Sequence, residues 1–152
     1  MKPDKFLAKS KKQVQAMKEI KNKYVAVGVL ANEATGRVYG AGASVLQVAA
    51  ANEFGTTKTP QRSFLVMPQQ LKAPEISKFI RVQLGKVLEG REVKKGLGLI
   101  GVFVTNVSVD AFDSGGFGKW PALDDKTIEA KGSSAPLIDT GTLKNSVTYE
   151  VR

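Results

Sequence analysis

Apolar positions recur along this chain at two spacings, and each switch between them marks a boundary. Over residues 4–22 the spacing is helical: Phe6, Leu7, Val14, Met17 and Ile20 fall near one face and lysines take the other. Pro3 and Asp4 suit the first turn of that helix. The run "YVAVGVLA" (24–31) is β-branched and apolar at both parities, which predicts a strand buried on both faces. "NEATGRVYGAGAS" (32–44) is rich in Gly and Asn and predicts a loop or hairpin tip. The helical period returns in "SVLQVAAANEFG" (44–55), with Ser44 placed to cap and Gly55 to terminate. "RSFLVM" (62–67) reads as a short strand or extended stretch leading to Pro68.

From Pro68 to about Glu89 the pattern is helical, with Leu71, Ile76, Phe79, Ile80, Val82, Leu84, Val87 and Leu88 mostly inward and Pro74 forcing a kink or restart. Residues 91–112 are valine-rich, but their length and the positions Val93, Leu97, Ile100, Val104 and Val107 favour a helix. "DSGGFGKWPAL" (113–123) is a glycine-rich loop that delivers Trp120 to the body, and 124–132 forms a helical turn or two ending at Gly132. "SVTYEV" (146–151) alternates in period two and predicts a strand. Few strands, several helices and no βαβ rhythm point to an α+β fold: a small, mostly antiparallel sheet flanked by helices, with long glycine-rich loops.

Composition narrows the chemistry. The 152 residues suffice for one domain, a basic N-terminal helix (1–23) joined to an α+β body (24–152). With 42% apolar and 24% charged residues the chain belongs among globular proteins. It contains no Cys and no His, which removes disulfides, thiolate metal sites, the commonest zinc ligand and the commonest general base. No run of unbroken apolar residues reaches membrane-span length, and the N-terminus lacks the apolar core of a signal peptide. A soluble protein retained in a reducing cytoplasm is expected.

The net charge of +9 is uneven: residues 1–23 hold eight lysines against Asp4 and Glu19. A solvated helix face accounts for such a run, and contact with nucleic acid or an acidic partner is the sharper alternative. The segment has no arginine, which weakens the nucleic-acid signal.

Candidate motifs are few. "LIDTG" (137–141) has the form of an aspartic protease strand, but that chemistry needs two aspartates sharing a proton. One copy is present, and too little chain follows it to supply a flap and an apolar-apolar-glycine strand. The structural reading is a corner: Asp139 or Thr140 caps a turn beginning at Gly141, and Leu137, Ile138 and Leu143 pin it to the core beside Trp120. "GAGAS" (40–44) and "GGFGK" (115–119) lack P-loop spacing. Glu53, Asp124, Asp125 and Glu129 form no metal-ligand pattern. Nothing calls for a catalytic residue, a metal or a cofactor.

Two stretches together are more specific. The first is "VAAANEFGTTKTPQRSFL" (48–65) and the second "KWPALDDKTIEAKGSSAPLIDTGTLKNSVTYEV" (119–151), with Trp120, Thr127, Lys131 and Leu-Ile-Asp-Thr-Gly-x-Leu in order. This order resembles tailed-phage neck and tail-completion proteins, including the phage virion-morphogenesis family. The resemblance covers roughly residues 45–151. Asn52 stands where the family often has histidine, Gln61-Arg62-Ser63 replaces a more usual Ala-Arg-Pro, and Lys144 replaces a common arginine.

The resemblance implies a virion structural protein at the neck or head-proximal tail, made in the bacterial host cytoplasm and joining head to tail as a homo-oligomeric ring. Its implied partners are other copies of itself, a tail terminator or tail-tube protein, a head-side connector, and DNA passing through the ring; no membrane is involved. For an interface of that kind Phe54, Arg62, Phe64, Tyr39 and Phe117 are the candidate anchors, since aromatics and arginine dominate such contacts. The glycine-rich loops are expected to order on assembly. A small basic DNA-binding accessory protein is the competing reading, resting on the N-terminal lysines.

Overall fold

The computed structural model describes residues 3–31, 42–123, 128–129, 137 and 141–152. Readings of 32–41, of most of 124–132 and of Tyr39, Ile138, Asp139 and Thr140 lie outside the described residues. In chain order the elements are α1 (Pro3–Ile20), β1 (Val25–Val29), α2 (Val45–Phe54), α3 (Val66–Leu71), α4 (Ala73–Leu88), α5 (Val93–Asp113), α6 (Thr142–Asn145) and β2 (Val147–Val151). The fold is α+β, as the pattern predicts, with its two strands drawn from opposite ends of the chain.

β1 and β2 pair antiparallel, Val25 opposite Val151 and Val29 opposite Val147. Period-two alternation puts Val25, Val27, Val29, Val147, Tyr149 and Val151 on one face, which lies along α5. Two apolar clusters meet this ribbon at its two ends. One gathers Val45, Phe64, Phe112, Leu143 and Val147, with Val29 and Trp120 packed against it. The other gathers Val87, Val93, Leu97, Ile100 and Val104, with Val25, Val151 and the α4 side chains around it. Since α5 contributes to both, it is the axis of the body. By length and composition α5 could cross a membrane, but half of its most apolar window is buried against neighbouring elements.

Glycines in α5 admit those neighbours. A methyl group placed on Gly101 would overlap the Tyr149 ring, and one on Gly96 would overlap a Val87 methyl group. The absence of side chains at these two positions lets the sheet and α4 lie close on the helix, which offsets the low helix propensity of glycine. Phe79 of α4 stacks on Phe103 of α5, centroids 4.3 Å apart, further along the same seam.

Three expectations need correction. β1 is partly buried at four of its five positions and not fully buried throughout, and among the described residues it pairs only with β2. On the face turned from α5 it carries only Ala26 and Gly28, and Gly28 is buried, with a Leu65 methyl group 3.8 Å from where its Cβ would stand. Residues 62–67 do not form a strand: an irregular stretch ends at Leu65 and α3 begins at Val66, with Pro68 in the first turn, where a missing N–H is harmless. In α1, Leu7, Val14 and Met17 are exposed and Ala16 and Ile20 pack inward. The helix packs on the second cluster through Ala16 and Ile20, while Lys12, Gln15 and Glu19 line a concavity beside the α4–α5 turn, and that small footprint selects one side of the apolar arc. Elsewhere the boundaries match: Ser44 and Gln47 form a capping box on α2, Gly55 ends it at φ 75°, and the chain restarts as α4 around Pro74.

Two glycine replacements separate packing from propensity. Gly85→Ala in α4 meets nothing within contact distance and is expected to gain about 0.5–1 kcal/mol. Gly101→Ala should lose about 1–3 kcal/mol because the Tyr149 ring must shift. Urea unfolding of both variants checks the opposite signs.

Candidate assembly surface

The interior beneath the candidate surface is organised by one carboxylate. Glu53, the penultimate residue of α2, is 4% exposed. It accepts from the Ser63 hydroxyl at 2.7 Å, from the Phe64 and Leu65 amides at 2.9 Å, and from the Val66 amide at 3.1 Å. The hydroxyl of Ser63 in turn accepts from the Met67 amide at 2.9 Å. A helix start leaves its first amides without intrahelical acceptors. Here Glu53 takes Val66, Ser63 takes Met67 and Pro68 has no N–H, so the start of α3 is satisfied from outside its own helix. Burying a carboxylate is tolerable because several charge-assisted hydrogen bonds replace its water.

The same segment holds the second stretch of the chain. Arg62 is buried, and its guanidinium donates to the Pro121 and Ala122 carbonyls, each at 3.0 Å. The Trp120 indole N–H donates to the Ser63 carbonyl at 2.9 Å, and its ring meets Phe112 edge-on at 5.8 Å. Phe64 lies 5.1 Å from Phe112 in the same cluster as Leu143. Around the turn, the Arg62 amide donates to the Asn52 carbonyl at 2.8 Å and the Gln61 side-chain amide to the Glu53 carbonyl at 2.9 Å. The intervening residues are closed by the Thr56 hydroxyl accepting from the Lys58 and Thr59 amides.

These contacts sort the candidate anchors. Phe64 is 0% exposed and belongs to the core, and Arg62 is a buried staple between two loops. Neither presents a surface, because a core aromatic and a structural arginine share the residue types of an interface anchor. Phe54 is different: next to the buried Glu53, it is 74% exposed. It stands at a concavity of about 340 Å³ shared with Val66, Met67, Gln70, Lys119 and Trp120. The wall is apolar on the α3 side, and Val66 is itself exposed. Phe117 is half-buried, its ring beneath the Lys72 ammonium at 5.6 Å, and Tyr39 lies outside the described residues. Of the corner residues, Gly141 has φ 74° and Leu143 is buried with Trp120 and Leu137 packed on its cluster, while Asp139 and Thr140 are not among the described residues.

The loop at 113–119 is more ordered than its composition suggests. Gly115, Gly116, Phe117 and Gly118 all have positive φ. The amides of Gly116, Gly118, Lys119 and Trp120 donate to carbonyls between Ala111 and Gly116, and that of Phe117 to the Ser114 hydroxyl. These amides bond within the coil, so the "GGFGK" string does not form a phosphate cradle. The segment's hydrogen bonds are thus made within one copy of the chain. Glu53 has no vacant acceptor either, since an ionised carboxylate has about four lone-pair sites and four donors occupy them. Among the described residues no three acidic, His or Cys side chains come together.

Sequence reasoning singled out Glu53 only as a non-ligand; the missing clue was that a Glu ending one helix can cap another some ten residues later. Compared with known proteins, the chain matches no family model, no curated protein and no solved structure.

Replacing Glu53 by Gln turns a nitrogen toward amide donors and should cost about 2–3 kcal/mol. At this chain length that lowers Tm by about 2–4 °C per kcal/mol, readable by calorimetry. Phe54→Ser, at an exposed position, should change stability by no more than about 0.5 kcal/mol in the same experiment.

Proposed function

We propose that this chain is a structural protein of a tailed-phage virion, completing the tail or neck and joining head to tail as a homo-oligomeric ring. The observation that carries this reading is a convergence. The two stretches on which the resemblance rests are far apart in sequence, yet Arg62 reaches Pro121 and Ala122, and Trp120 reaches Ser63. Phe64 and Leu143 then share one cluster. The paired pattern therefore describes one packed unit, which supports treating it as a family pattern and not as two coincidental strings.

The surface over that unit fits docking. A rigid, hydrogen-bonded base carries an exposed aromatic at the edge of a concavity, the arrangement that central interface residues use. In this reading Phe54 anchors a neighbouring copy, one face of the ring meets a tail terminator or tail-tube protein, and the other meets a head-side connector. DNA passes through the ring. The work is done by contacts alone, without catalysis, cofactor or membrane, and the protein travels from the host cytoplasm into the virion.

A second reading has its own observation. The lysines of α1 from Lys9 to Lys18, together with Lys21 and Lys23 beyond it, are all exposed. A small basic DNA-binding accessory protein would use such a face, with affinity that falls steeply as salt rises.

Deleting the gene from the source phage or prophage and imaging the lysate by negative stain tests the leading reading. Filled heads beside unattached tails, or tails of aberrant length, are expected. Complementation with Phe54→Ser should leave that defect in place although the protein folds. Normal infectious particles from the deletion would overturn the assignment and favour the DNA reading.

A further inference from the structure

Among the described residues the sheet has two strands, so within them each strand keeps one edge without a partner strand. Tyr24 and Arg152 exchange both backbone hydrogen bonds, at 2.8 and 2.9 Å. Antiparallel pairing alternates, so this register turns the backbone groups of Ala26 and Gly28 toward β2 and those of Val25, Val27 and Val29 away from it. Three amides and three carbonyls therefore line the outer edge of β1, and among the described residues none pairs with them. Edge strands are commonly protected by charges, proline or bulges. "VAVGV" contains no proline and no charge.

A cleft of about 570 Å³ opens beside this same edge. Val25 and Val27 form one wall, Ile76, Ile80 and Leu84 of α4 the other, and Leu97 and Ile100 of α5 lie in the floor. The ribbon packs on α5 and makes little contact with α4, so the inward side chains of a strand added beside β1 would point toward this cleft.

We propose that the outer edge of β1 is a strand-addition site for an extended, acidic segment of another protein. Unpaired backbone groups at strand spacing are matched only by another extended chain. Apolar side chains at alternate positions of that segment would enter the cleft above α4. A second copy is a poor occupant: both of its strands are backed by its own α5, which would arrive where α4 already lies. It would also bring a further net charge of +9. Lys23 lines the cleft and Lys21 is exposed close by, so the complementary segment carries carboxylates at that end. The inference does not depend on ring assembly.

The test uses the full chain and a synthetic peptide of about nine residues, valine alternating with threonine and ending in aspartates. A control peptide carries N-methyl groups on the alternate amides that would face β1. Hydrogen exchange followed by NMR should show the Val25, Val27 and Val29 amides fast in the free protein and slowed about tenfold or more by the peptide. The methyl signals of Ile76, Ile80 and Leu84 should shift with it, and the control should do neither. Equal shifts from the control would mean apolar capture without strand pairing and would overturn the proposal. So would absence of binding, protection already present in the dilute free protein, or protection that grows with protein concentration alone, which would identify a second copy as the occupant.

Discussion

One buried carboxylate sets the geometry of this protein's middle. Glu53 ends α2 and, through four donors, fixes where Ser63 to Val66 lie. That fixes the start of α3 and, through the tight connection at Lys72, the start of α4. The same segment presents the Ser63 carbonyl to Trp120 and aims Arg62 at the chain after it. A charge without water holds only where every acceptor site is used, so the network tolerates little rearrangement. Its rigidity is what allows Phe54, one residue away, to stand exposed in a defined place.

The second constraint is the close approach of the sheet to α5. Side chains are absent at Gly101 and Gly96, and Tyr149 and Val87 occupy the space. The helix also buries the Thr105 and Ser108 hydroxyls without partners, a local cost that the surrounding apolar burial must outweigh. Two apolar clusters, one at each end of the ribbon, share this helix, so displacing it disturbs both.

These two constraints separate scaffold from surface. Buried polar groups and the packed clusters account for Glu53, Arg62, Phe64 and Trp120 without any ligand. What they leave outward includes the Phe54 concavity, the lysine face of α1 and the edge of β1 that no described residue pairs. All three suit macromolecular contact better than small-molecule chemistry, because each is built from shape, charge or backbone pairing and not from converging reactive groups.

Periodicity made the helices legible. The caps at Ser44 and Gly55, the restart at Pro74, the length of α5 and the alternation of β2 follow from local backbone and side-chain preferences. Local patterns could not say which side of the apolar arc of α1 docks: Leu7 and Ile20 lie about 140° apart at its two ends, and only the packing of Ala16 and Ile20 against the second cluster distinguishes those ends. They also placed the start of α3 late, at Pro68 and not at Val66, since the acceptor that starts it belongs to another helix. Arg62 and Phe64 looked like interface residues for the same reason: arginine and phenylalanine suit a buried staple or an exposed anchor equally well. The sequence by itself determined the elements and excluded histidine and cysteine chemistry. Only the tertiary structure decided which Phe is core and which is surface, because burial depends on what the chain brings back from some sixty residues away.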